Sequence, residues 1–181
     1  MKLNILKVPN PVLKQKSKQV TVVDNEISVL IDNMFETMYE NNGVGLAAIQ
    51  VGIPLKIVVI DVADKDNKGK NQYALINPEI IWKSEDSELM DDGCLSVPQQ
   101  YEKVMRNKEV EVKYFDKLMK EQRLKADGLL AHCLQHEIDH TNGILFVDYL
   151  STFRKTMLKS KLRDIQKGAV EVEYVLAPKL K

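Results

Sequence analysis

The hydrophobic pattern of this chain changes period twice along its length, and that change limits the fold more than any other feature. Asp24 reads as an N-cap for a helix running to about Asn41, because Ile27, Leu30, Ile31, Met34, Phe35 and Met38 recur at steps of three and four. Asn41-Asn42-Gly43 then ends it with residues that tolerate left-handed geometry. Residues 56–62 (KIVVIDV) are too β-branched and too few for a comfortable helix and read as a buried strand. Residues 64–70 (DKDNKGK) read as a loop, and Tyr73 to Ile76 as the next strand, stopped by Asn77-Pro78. Glu109 to Phe115 alternates strictly, which predicts a half-exposed strand turning through residues 116–120 into a partner near Glu121 to Lys125. Helical spacing returns after Asp127, read as the cap of a helix through about His140, and a charged helix follows from about Thr152 to Gln166. Strands in the middle and helices at the ends, without regular alternation, predict an α+β fold and not a doubly wound sheet.

With 181 residues, no internal repeat and no long linker, the chain reads as a single domain able to bury a proper core. The zero formal charge gives no global attraction to nucleic acid or to an anionic membrane, and no apolar run reaches the length of a span. The first residues lack the apolar stretch of a signal peptide, and two cysteines make no disulfide framework, so a reducing cytoplasm is the expected compartment. Cys94 and Cys133 are therefore left for chemistry or packing.

The segment His136-Glu137-Ile138-Asp139-His140 carries the chemistry. Four residues make about one helical turn, so both imidazoles project from one face and can grip one cation. Glu137 is placed to reach a water on that cation without being a ligand, which is the geometry of a general base in a metal-dependent hydrolase. A charged helix whose histidines pair with Glu137 or Asp139 would produce the same letters.

A catalytic metal needs a third protein ligand, and several candidates compete. His132 lies one turn before His136, but its Cα would be about 12 Å from that of His140 along a helix, so it reads as pocket wall and not as a ligand. Gly143 falls where the zinc-protease motif H-E-x-x-H-x-x-G-x-x-H has its glycine, yet Phe146 occupies the final histidine position. Asp148, Glu171 and Glu173 lack a helical context that would aim them. Cys94, in Asp92-Gly93-Cys94-Leu95-Ser96, offers a strong, soft thiolate, with Gly93 permitting a bend. Cys133 lies on the histidine helix itself and reads as packing. Upstream, Gly43-Val44-Gly45-Leu46-Ala47-Ala48-Ile49-Gln50 has no G-x-G-x-x-G register; its glycines let backbone approach a strand or a substrate, and Gln50 offers an amide to a developing oxyanion.

Taken together, GVGLAAIQ, GCLS and QHEIDH, in that order and spacing, resemble the three motifs of the peptide deformylase family, and the resemblance covers nearly the whole chain. It implies an α+β fold in which antiparallel sheets wrap around a central H-E-x-x-H helix, with a C-terminal helix and residues 168–181 as an extension of one catalytic domain. It also implies removal of the N-formyl group from nascent formyl-methionyl polypeptides, at the ribosome, with release of formate. Cys94, His136 and His140 would hold Fe(II), replaceable by nickel, cobalt or zinc, with Glu137 as proton carrier. Gln50 and the N–H of Leu95 would hold the oxyanion, while Val44, Gly45, Leu46 and His132 would line the substrate cleft.

Three positions depart from the family's pattern: Asp92 stands where Glu is usual, Tyr101 where some members have arginine, and His132 where an apolar wall residue is usual. Asp92, one methylene shorter, is expected to make a similar contact behind the metal ligands, while Tyr101 and His132 bear on affinity, efficiency and substrate preference and not on the reaction type. The competing readings are a zinc endopeptidase of the H-E-x-x-H type, with its third ligand after His140, and a non-catalytic metal- or peptide-binding relative.

Overall fold

Asp24 accepts a hydrogen bond from the Ile27 N–H at 2.9 Å and so opens helix α1 (Asn25–Glu40), as its spacing requires. The protein is seen in a computed structural model that describes residues 1–63 and 69–166. The expected loop at 64–70 therefore lies largely outside the described residues, as does the expected extension at 168–181. Among the described residues, seven strands follow α1 in two antiparallel sheets. Strands β1 (Gly45–Ala47), β2 (Ile57–Ile60), β3 (Tyr73–Lys83), β6 (Glu109–Phe115) and β7 (Glu121–Asp127) form a sheet in the order β1-β2-β3-β6-β7. Strands β4 (Ser87–Cys94) and β5 (Val97–Asn107) form a separate hairpin. Helix α2 (Gly128–Thr141) and helix α3 (Thr152–Gln166) complete the α+β architecture.

The apolar run of β2 has a direct cause: both of its faces are covered. Val58 and Ile60 pack with Ala131, Leu134 and Ile138 of α2, while Ile57 and Val59 pack with Ile31, Met34 and Met38 of α1. Alternate residues of one strand thus fill two cores, one on each side of the sheet. A third cluster, with Val97, Val104, Leu145 and Phe146, ties the hairpin to the chain after α2.

Two sequence expectations need adjustment. Asn77-Pro78 does not stop its strand, since β3 continues to Lys83 with register shifts between Ile76 and Glu79 and between Ile80 and Trp82. Asn77 takes φ +52° and bonds both backbone groups of Val20 through its side chain, so the proline sits in a bulge that asks nothing of its missing N–H. Asp127 is the N-cap residue of α2, as expected, but its side chain makes no capping hydrogen bond, and it is also the last paired residue of β7, opposite Glu109. The β4–β5 hairpin has no counterpart in the hydrophobic periodicity.

Gly143, one residue past the α2 cap, holds φ +73°, and a Cβ there would collide with the Lys14 carbonyl oxygen. Its place in a protease-like spacing thus reflects close chain packing. Gly143→Ala is expected to lower unfolding stability by about 1–3 kcal/mol, from strain plus overpacking. Urea unfolding would measure this; an unchanged midpoint would contradict the packing account.

Candidate active site

A cleft of about 420 Å³ opens between β1, the β4–β5 hairpin and α2. Helix α2 is buried on almost every side, and its inward face carries histidines and an acid in place of aliphatic residues. Such groups survive burial only when each finds a partner. His136 and His140 project from successive turns with their Nε2 atoms 3.1 Å apart, and Cys94, at the end of β4, brings its Sγ to 3.2 Å from His140 Nε2. The ligand atoms of these three residues all lie within 4.8 Å of one another.

The fit to a metal can be tested on these distances. Tetrahedral coordination with metal–nitrogen bonds of about 2.0–2.1 Å and a metal–sulfur bond of about 2.3 Å puts donor atoms about 3.3–3.6 Å apart. The separations of 3.1 and 3.2 Å about His140 are close to that, and two imidazole nitrogens with a thiolate are the donors that borderline divalent ions prefer. The residues fit a single transition-metal ion. His132 does not join the group. Phe146, at the position of a zinc protease's last histidine, stacks on the His136 ring with centroids 6.3 Å apart, and Asp148 is held by Lys14 and by the Leu145 N–H. Among the described residues, Cys94 is thus the third donor that geometry supplies.

Glu137 is 4% exposed, and its Oε2 has no hydrogen-bond partner. Gly45 explains how it fits: a Cβ at residue 45 would stand 2.5 Å from Glu137 Oε1 and 2.7 Å from its Cγ. The close backbone approach expected of this glycine is therefore made to the acid of the central helix. Burial pushes the Glu137 carboxyl up to about 7, with the charge of His136 pulling the other way.

Gln50, on the short 3-10 turn Ala48–Val51, is 1% exposed and fixed at both ends of its amide. Its oxygen accepts from the Ala47 N–H at 2.8 Å, and its nitrogen faces Ser96 Oγ at 3.2 Å and Cys94 Sγ at 3.4 Å. The N-terminal segment fastens the same wall, since Leu6 N–H donates to the Gln50 carbonyl and Val8 N–H to the Ser96 carbonyl. Val44, Gly45, Leu95 and His132 line the cleft together with Cys133. Leu46 turns its side chain into the core under α1, which leaves only its backbone at the sheet edge. Cys133 packs in the α2 core, and burial pushes its thiol well above the ordinary range.

Behind the histidines lies an ion network that the sequence patterns did not reveal. Asp92, 3% exposed, places Oδ1 2.7 Å from His136 Nδ1 and receives Arg106 on Oδ2 at 3.0 and 3.2 Å. Arg106 also donates to Asp139 at 2.8 Å and lies over the Tyr149 ring, whose hydroxyl donates to Asp139 at 2.9 Å. Burial alone would raise the Asp92 carboxyl, but His136, His132 and Arg106 outweigh it and hold the group well below the carboxylate range. Burial also lowers both metal-facing imidazoles; Asp92 reverses this for His136, whereas His136 deepens it for His140. Two of the three departures from pattern meet here, with His132 Nε2 3.3 Å from Asp92 Oδ2. The third, Tyr101, lines the cleft mouth opposite Gly93 on the hairpin.

Known proteins share this fold. The profile described as polypeptide deformylase matches residues 2–156. A peptide deformylase of Bartonella quintana is 48% identical over 166 residues, covering 91% of this chain and 94% of that one. The crystal structure of a peptide deformylase from Legionella pneumophila superposes with a TM-score of 0.87 at 41% identity, over 93% of this chain and 98% of that one. A structure from Ehrlichia chaffeensis, determined in complex with actinonin, gives 0.86 at 40% identity, over 92% and 98%. With the fold, a Cys-His-His donor group and these relatives in agreement, the chain belongs to the polypeptide deformylase family.

Proposed function

We propose that this protein removes the N-formyl group from the formyl-methionine that begins newly made polypeptides, as a cytoplasmic enzyme acting at the ribosome. The observation that carries the site reading is the convergence of Cys94, His136 and His140 beside the partnerless carboxylate oxygen of Glu137. In this reading those three residues hold one divalent ion. Iron(II) is the native ion, with nickel, cobalt or zinc able to replace it. When bound, the ion supplies Lewis-acid activation of a water and of the formyl carbonyl.

The chain's own groups do the rest. Glu137 takes a proton from the attacking water and returns it to the leaving amine, so that water and a formamide become formate and a free amine. The Gln50 amide nitrogen and the Leu95 N–H face the carbonyl oxygen as it gains charge, and the fixed Gln50 oxygen keeps that donor aimed. Gly45 and Leu46 lie on β1, an edge strand, where an extended peptide can add its own backbone hydrogen bonds. Val44 and His132 flank the first side chain.

The test is formate release by metal-loaded protein from formyl-Met and formyl-non-Met peptides, with the peptide products analysed in parallel. Formate matched by free amine, with the remaining peptide bonds intact, is the expected result. Internal cleavage, or no formate from metal-replete protein, would overturn the proposal and restore the endopeptidase reading.

A further inference from the structure

His132 is 5% exposed and its Nδ1 has no hydrogen-bond partner among the described residues, so Nε2 carries the polar contact of the ring. A buried imidazole in that condition carries a desolvation cost, so its position calls for a compensating interaction. The group it meets is the Asp92 carboxylate, at 3.3 Å from Nε2. His132 and His136 stand on successive turns of α2 and address different oxygens of that carboxylate, Oδ2 and Oδ1 respectively.

Arg106 does not make this contact redundant. It holds Oδ2 from the β5 side and is itself drawn toward Asp139 and Tyr149. Arg106 and His136 hold one oxygen each, and His132 adds a contact to Oδ2 from α2 itself, the helix that carries the His136 ring. With His132 on Oδ2 and His136 on Oδ1, the carboxylate plane is pinned against α2 at two points. A planar group fixed at both oxygens cannot rotate, and the ring it addresses is fixed in turn.

We propose that His132 is a positioning residue, acting through Asp92 to hold the His136 ring in the orientation that binds metal. This rests on Cys94, His136 and His140 being the metal ligands. It gives His132 a role toward the ion without making it a ligand and in addition to its place on the cleft wall.

The test follows Co(II) release from the loaded full-length protein into excess chelator, read by the loss of cysteine-to-cobalt absorption. His132→Leu fills the space without a donor and is expected to speed release about tenfold, the lower end for loss of a group supporting a metal ligand. His132→Gln keeps a donor at similar reach and is expected to stay within about threefold of the parent. His132→Asn keeps polarity but falls short of Asp92, so it should behave like leucine, and it replaces leucine in the comparison should that chain not fold. Equal release from the parent and the leucine or asparagine variant would overturn the proposal, as would equally fast release from glutamine and the others. A parent chain that binds no Co(II) would instead overturn the ligand assignment beneath it, so the two failures are distinguishable.

Discussion

Replacing Glu137 by glutamine is expected to cut kcat for formate release by about 10²–10⁴-fold, the range associated with a positioned general acid–base group. The substitution keeps side-chain volume, which matters because Gly45 leaves no slack beside this residue. It also leaves Cys94, His136 and His140 untouched, so metal content should stay at one equivalent per chain. What disappears is the group that accepts the water's proton and hands it to the amine. Metal analysis and steady-state kinetics on the same preparation separate these effects. Activity that survives in the glutamine variant would remove Glu137 from the mechanism, whatever the metal does.

Cys94→Ala should produce the opposite pattern, with metal lost and activity lost as a consequence. Removing the sulfur deletes one of three donors and leaves two imidazole nitrogens 3.1 Å apart in a buried pocket, where water is a poor substitute. Weak chelation should then strip the ion from the variant while the parent retains it. The change also discriminates between reaction classes. An endopeptidase drawing its third ligand from beyond His140 would keep both metal and peptide cleavage without Cys94. In the described structure that stretch offers Phe146 stacked on His136 and Asp148 engaged by Lys14, neither of which is available as a donor.

Much of this was legible in the residues, and the parts that were not have physical reasons. Helix α1 and strand β2 could be read because their buried faces are aliphatic and their periods unambiguous. The β4–β5 hairpin could not, because the inward positions Asp92 and Arg106 are charges that satisfy each other, and no hydrophobic alternation marks them. The length of β3 was missed because a proline in a bulge looks, in sequence, like a proline at a strand end. Within the site, His136, Glu137 and His140 announced themselves through helical spacing. Cys94 stood among several candidates until family resemblance singled it out, since its nearness to the histidines depends on a hairpin that spacing does not encode. Asp92 and His132 were noted as separate departures, and only the fold shows that they touch.

The fastening of Gln50 and Ser96 by Leu6 and Val8 has a further consequence, for how the protein comes to be active at all. These bonds join the first residues of the chain to a wall completed by β4 and β5, across long sequence separations. Closing such loops costs entropy before any contact returns it, so contacts of this kind form late and slowly compared with the helices. A chain with α1 and α2 already wound would hold its histidines and its glutamate on one helix but have no cleft to use them in. Catalytic competence therefore belongs to the completed topology, and helix content by itself is a poor measure of how much working enzyme a refolding sample contains.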